Sequence, residues 1–257
     1  MKFFRFSRGA AAFLAGFATL SAGQAAHAGD HTNLEEGLPT DVEDAYPTAY
    51  GNRELQLQGR YERTRDGKNL FIVDPRLELG FARNWQARIA VPFRLGSADK
   101  TGSGEVGVEF FYNFNNESLR LPAFAVSARA DFPTGTRSRC VDSQFKFIAT
   151  RSLGTSPKLQ RLHLNLIYRN NASPGADERS NRYSAIAGYS QCLGPDTLGI
   201  LDYVRDQDRQ KGVTFNIIEA GLRRQINPLT VISLGVGAGI GSQSPNLRLT
   251  AGVQKSF

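Results

Sequence analysis

From residue 52 to the end of the chain, apolar and polar residues alternate one by one, in stretch after stretch of about ten residues. In the last stretch Leu247, Leu249, Ala251, Val253 and Phe257 share one phase, and Arg248, Thr250, Gly252, Gln254 and Ser256 share the other. A period of two places successive side chains on opposite faces, so each stretch is a strand with two unlike faces. The pattern recurs in Leu55–Tyr61, Phe71–Phe81, Trp85–Phe93, Val106–Phe114 and Phe124–Phe132, then near 143–151, 160–169, 181–190, 197–206, 213–224, 229–240 and 246–257. Twelve strands of this kind must bury their apolar faces, and the second face constrains how.

That second face is charged. Its bases are Arg60, Arg76, Arg88, Arg94, Arg129, Lys146, Arg161, Arg169, Arg182, Arg223 and Arg248; its acids are Glu54, Asp74, Glu78, Glu105, Glu109, Asp131 and Glu219. Charges in such number do not fill a dry sandwich core. They suit a water-filled or salt-bridged lumen whose apolar outer faces meet lipid. Ten residues at ~3.3 Å each, tilted by ~45°, rise about 23 Å, close to the height of an outer-membrane apolar band. The predicted fold is therefore all-β: a transmembrane antiparallel β-barrel of about 12 strands in the outer membrane of a Gram-negative bacterium.

The last strand orients the rest. Phe257 would stand in the periplasmic aromatic girdle, and Lys255, in the apolar phase, is tolerable only near an interface where it can snorkel. The odd-numbered connections then face outward (63–69, 96–104, 133–142, 170–180, 206–212 and 241–246), and most are long and polar. The even-numbered ones face the periplasm. Of these, 82–84, 191–195 and 225–228 are short, while 115–121 and 152–158 are longer. Phe81, Trp85, Phe114, Phe124, Tyr189 and Phe257 would ring the periplasmic side, and Tyr61, Phe71, Phe93, Phe132, Tyr168 and Tyr183 the outer side.

Three segments are expected. Residues 1–28 read as a secretory signal: Lys2, Arg5 and Arg8 precede the apolar run 10–20, and Ala26-His27-Ala28 is a cleavage site. Residues 29–51 are acidic and broken by Pro39 and Pro47. They form a lead-in that folds into the lumen, stays periplasmic, or remains disordered. Residues 52–257 are the barrel. Removing the signal lowers 31 basic residues to 28 against 24 acidic ones, so the formal charge of +7 becomes about +4. That mild, scattered charge does not favour nucleic acid as a partner.

No metal site or cofactor is expected. There is no C-x-x-C, and only His31 and His163 remain after processing. Cys140 falls in an outer loop and Cys192 in a periplasmic turn, too far apart for a disulfide.

The lead-in Gly37–Tyr46, the strand Pro75-Arg76-Leu77-Glu78-Leu79-Gly80, the strand start Gly104-Glu105-Val106 and the strand end Phe132-Pro133-Thr134-Gly135 resemble the outer-membrane transporters of the MetA-pathway-of-phenol-degradation family. That family starts its fourth strand with Gly-Asp, whereas Glu105 stands here. The resemblance implies a barrel that passes aromatic or other small solutes and carries no catalytic motif.

The reading of the chain is then a porin-like barrel giving passive or facilitated passage of small solutes, aromatic or anionic. Arg60, Arg76, Arg88, Arg94, Arg129, Arg161, His163, Arg223, Arg248, Glu105 and Glu109 would line the path. The alternative is a structural or adhesive barrel whose lumen is filled by salt bridges between neighbouring strands. His163 alternates with Leu162 and Leu164 and so points inward, away from any lipid-hydrolase site on the outer wall; the protein is not read as an enzyme. The expected partners are outer-membrane lipid, small solutes, and the barrel-assembly machinery, which would engage the C-terminal strand.

Overall fold

The computed structural model describes residues 30–98, 101–136, 139–154 and 158–257, so the signal segment 1–28 lies outside the described residues. Twelve strands span the wall: β1 (Arg53–Arg63), β2 (Asn69–Ala82), β3 in two pieces (Trp85–Ala90 and Phe93–Gly96), β4 in two pieces (Gly102–Ser103 and Val106–Asn113), β5 (Ala123–Phe132), β6 (Asp142–Ser152), β7 (Gln160–Asn170), β8 (Asn181–Gly194), β9 (Thr197–Gln207), β10 (Thr214–Asn227), β11 (Thr230–Gly239) and β12 (Leu247–Ser256). Each pairs antiparallel with its neighbours in the chain.

The barrel closes because β12 also pairs with β1, with Glu54 opposite Ser256 and Leu57 opposite Val253. Phe257 N donates to the Arg53 carbonyl at 3.0 Å and completes the seam. A closed sheet leaves no unpaired edge, the condition for a strand structure at membrane depth.

The break in β3 falls at Val91-Pro92. Proline has no N–H to give to the ladder. The facing strand accommodates the kink with Gly104, whose amide donates to the Pro92 carbonyl at 2.6 Å and where a Cβ would lie 2.8 Å from the proline ring. At the end of the barrel near Phe257, expected from the sequence to be periplasmic and so named below, the Arg83-Asn84 turn places Asn84 at φ 64°, a conformation asparagine tolerates.

The outer wall is apolar. Phe110, Phe145, Leu164, Leu201, Leu222, Leu234 and Leu249 stand exposed on it, and Lys255 is exposed near one rim. At the periplasmic end Trp85 packs on Tyr112 with ring centroids 4.5 Å apart, and Phe81 lies 6.1 Å from Trp85. Tyr168 and Tyr183 pair at 5.4 Å at the other end. One expected position needs correction. Cys192 is not in a turn but within β8, where Cys192 stands opposite Leu198 and a bulge follows it. The ladder continues to Gly194 because the turn itself needs only residues 195–196. Neither cysteine is disulfide-bonded.

Residues 30–51 lie inside the barrel. They enter near the periplasmic rim, where His31 bonds Gln225 at 3.0 Å. They turn tightly at Glu35–Leu38, with Leu38 N donating to the Glu35 carbonyl at 3.0 Å, and return to the same rim to start β1. The wall makes room for the turn. At Gly221 and Gly235 a Cβ would lie 2.2 Å from Pro39 Cγ and 2.6 Å from the Pro39 carbonyl oxygen, respectively.

Candidate luminal site

The luminal segment has almost no ladder of its own, yet backbone amides must be satisfied when buried. Wall side chains satisfy them in order. Asp41 N donates to Glu219, Val42 N to Asp202, Glu43 N to Asn165, Ala45 N to Thr150 and Thr48 N to Gln86, at 3.0, 2.9, 2.8, 2.9 and 2.7 Å. Those acceptors sit on β10, β9, β7, β6 and β3, so the chain sweeps around much of the inner wall. Asn165 Nδ2 and Asn113 Nδ2 return bonds to the carbonyls of Glu43 and Ala45.

Apolar anchors add to this. Leu34, Leu38, Val42 and Ala45 are buried. Leu34 and Val42 pack with Ile167, Ile186, Leu198, Ile200, Val204 and Ile217 of the wall. Ala45 packs with Phe111, Ala123, Ala125 and Ile148, with Tyr46 beside them. These inward apolar residues were not foreseen from the alternation. In 198–204 Leu198, Ile200 and Val204 share the inner phase with Asp202, opposite an equally apolar outer phase, so period two does not reveal what the inner one packs against.

The charged residues divide into clusters. In the outer half, Asp41 is clamped by Arg60 and Arg248; Arg248 also bonds Glu62 at 2.8 Å and Glu219 at 3.1 Å. Burial pushes the Asp41 carboxyl up, but the two guanidinium groups outweigh it and leave it at about 2. At the centre, Arg88, with a side chain only 2% exposed, ion-pairs with Glu35, Glu36, Glu43, Glu78 and Glu109. Lys146 shares Glu36, Glu43 and Glu109 with it.

Arg76 pairs with Asp74 at 2.8 Å and reaches the Glu36 carbonyl. Towards the periplasm, Arg161 lies 3.5 Å from Asp44 and stacks over the Tyr46 ring at 4.9 Å. There burial outweighs Arg161 and pushes the Asp44 carboxyl up to about 7. Arg223 donates to the carbonyls of Leu38 at 2.8 Å and His31 at 3.3 Å and to Gln254 at 2.7 Å.

Above the segment, at the outer mouth, lies a polar cavity of about 300 Å³ floored by Glu36 and lined by Arg94, Glu105, Arg129, Arg169, Arg182 and Arg209 among others. Most of its charges are paired: Arg129 with Asp131 at 2.7 Å, Arg169 with Asp206 at 3.0 Å and Arg209 with Asp142 at 3.3 Å. Arg182 makes no ion pair among the described residues, and its Nε is buried without a hydrogen-bond partner. The predicted path residues thus all face inward, but they belong to different parts of the lumen. Arg94, Arg129 and Glu105 line the outer cavity, whereas Arg60, Arg88, Arg161, Arg223, Arg248 and Glu109 hold the segment.

His163 is inward and buried, with Nδ1 3.1 Å from Thr150 Oγ1 and Nε2 2.9 Å from Ser190 Oγ. Thr150 Oγ1 also accepts the Ala45 amide, and either ring tautomer fits the two contacts, with one hydroxyl proton left over in each. The group ties β6, β7 and β8 to the luminal segment.

No family model matches the chain, and a search of curated proteins found no significant match. Solved structures do resemble it. The COG4313 outer membrane channel from Pseudomonas putida F1 superposes with a TM-score of 0.65 at 12% identity, over 88% of this chain and 100% of that one. The KdgM porin gives 0.58 at 12% identity over 79% and 99%. The NanC porin gives 0.58 at 10% over 78% and 98%. The fold is that of a 12-stranded outer-membrane β-barrel. At these identities the likeness speaks to fold alone.

Proposed function

We propose that the protein is an outer-membrane barrel giving passive or facilitated passage to small anionic solutes, aromatic acids among them, and that the luminal segment is its gate. The carrying observation is the outer cavity of about 300 Å³, in which Arg182 makes no ion pair among the described residues and keeps its Nε without a hydrogen-bond partner. A carboxylate or phenolate entering from outside meets that guanidinium first, a geometry suited to charge-assisted pairing. Below it, the apolar wall residues under Leu34 and Val42 offer a surface for a ring once the segment moves. The resemblance to the phenol-degradation transporters supports the same class of solute, and the porin-type neighbours support passage in general. In this reading residues 1–28 are removed on export, and the closing strand ending at Phe257 is what the assembly machinery engages.

Planar-bilayer recording across a salt gradient tests the proposal. The reversal potential should indicate anion preference, and Arg182→Gln should reduce it. Cation preference, or equal selectivity in both proteins, would overturn it.

A second reading has its own support. Arg88 and Lys146 knit the segment to the wall so fully that the barrel can be a closed, structural one. Liposome swelling separates the two: swelling in small sugars or benzoate supports passage, and none supports the closed barrel.

A further inference from the structure

Glu35 of the luminal segment, Glu54 of β1 and Glu78 of β2 bring one carboxylate oxygen each to within 4.8 Å of one another, and all three are buried. Glu54 and Glu78 are direct cross-strand partners. Like charges directly opposite on a sheet repel. Cations are too few to quiet them. Glu35, Glu36, Glu43, Glu78 and Glu109 ion-pair with Arg88, three of them share Lys146, and Glu54 makes no ion pair among the described residues. Arg223 spends its hydrogen bonds on two carbonyls and Gln254. Six carboxylates thus stand against three cations in a region closed to water, and buried charge left uncompensated costs several kcal/mol per ion.

Two further side chains point to what supplies the missing charge. Asn52, 4% exposed, donates Nδ2 to Glu54 at 3.0 Å and leaves its Oδ1 buried with no partner. Gln56, fully buried on the next inward position of β1 and against the Glu54 carboxylate, leaves both its amide oxygen and nitrogen without a directed hydrogen bond. Buried amide oxygens without donors are rare and need an explanation. Here both stand beside Glu54, one of the three carboxylates.

We propose that Glu35, Glu54 and Glu78, with the amide oxygens of Asn52 and Gln56, form a calcium site that staples the luminal segment to the β1–β2 hairpin. The donors are all oxygen, which selects a hard cation over zinc or copper. Ligands on opposite sides of a calcium ion at ~2.4 Å stand about 4.8 Å apart, so three oxygens within 4.8 Å of one another can share one ion. A nearly all-protein oxygen cage suits calcium better than magnesium, which keeps its waters. Sequence spacing hides the site, because Glu35, Asn52, Glu54, Gln56 and Glu78 come from three elements.

The test uses the full chain, folded in detergent micelles and stripped with EDTA. Calorimetric titration with calcium chloride should give one ion per chain and raise the thermal midpoint, with magnesium chloride binding at least tenfold more weakly. Glu54→Gln and Glu35→Gln should each weaken calcium binding at least tenfold. Glu35 is not in a strand, so its variant keeps the measurement available if the Glu54 variant assembles poorly, as heat-modifiable migration will show. No binding to the folded protein at ~1 mM calcium, the weak end of protein calcium sites, overturns the proposal. So does binding that both variants leave unchanged.

Discussion

Gly221 and Gly235 offer the sharpest test of whether the luminal segment can be unseated without harming the wall. An added Cβ at Gly221 meets Pro39 Cγ at 2.2 Å; at Gly235 it meets the Pro39 carbonyl oxygen at 2.6 Å. Neither distance is compatible with van der Waals radii, so the turn at Leu38-Pro39 must move. Overpacking of this kind costs about 1–3 kcal/mol per site. Because both sites push on Pro39 their costs do not simply add. About 3 kcal/mol for Gly221→Ala with Gly235→Ala corresponds to a shift of roughly 150-fold towards the released segment. The strands themselves should gain, since glycine is a poor strand residue.

Gly252 is the internal control. Its Cβ would meet Leu38 Cδ2 at 2.2 Å, the end of a flexible side chain that can swing away, and approach backbone no closer than the Leu57 carbonyl oxygen at 3.2 Å. The order of effect should be Gly235→Ala at least equal to Gly221→Ala, and both above Gly252→Ala. Single-channel recording reads it as the fraction of time spent at high conductance, and protease cleavage within 30–51 gives an independent measure. Heat-modifiable migration confirms that each barrel is folded. If the double variant conducts and resists protease like the wild type, or if Gly252→Ala has the largest effect, the steric seat is wrong.

Other perturbations probe other layers. Arg88→Met removes the cation shared by five carboxylates and should destabilise the folded barrel by about 3–5 kcal/mol, seen as an earlier urea transition; an unchanged midpoint would show the cluster to be compensated otherwise. Leu234, 63% exposed in the middle of β11, should cost about 2–4 kcal/mol when changed to Arg, whereas Lys255→Arg near the rim should be neutral; similar urea midpoints for both would contradict the assigned membrane depth. Deleting Phe257 removes the amide that bonds Arg53 and should lower the yield of folded barrel, and unchanged yield would count against the role given to the closing strand.

The strand phases could be read from sequence wherever the inner face carries charge, as with Arg76, Arg88 or Arg248, because such residues have only one place to go. The break at Pro92 was readable in principle, since a proline inside a run demotes it, but Pro75 within β2 shows that the rule depends on which side the ladder lies. The apolar half of the lumen was not readable. Phe111 stands between Phe110 and Tyr112, and Ile200 between Gly199 and Leu201; what fixes their direction is a segment more than sixty residues away. The lead-in itself showed acid and proline and no hydrophobic period, because its backbone is satisfied by side chains of the wall rather than by a regular element.

That borrowed satisfaction sets an order of events. The acceptors for residues 41–48 come from β3, β6, β7, β9 and β10, so they exist as a set only after the wall has closed on itself. Contacts spanning up to 178 residues are entropically remote until then. The stretch that precedes the barrel in the chain is therefore the last to find its structure, and until it does, the barrel is an open ring whose inner polar groups are held by water.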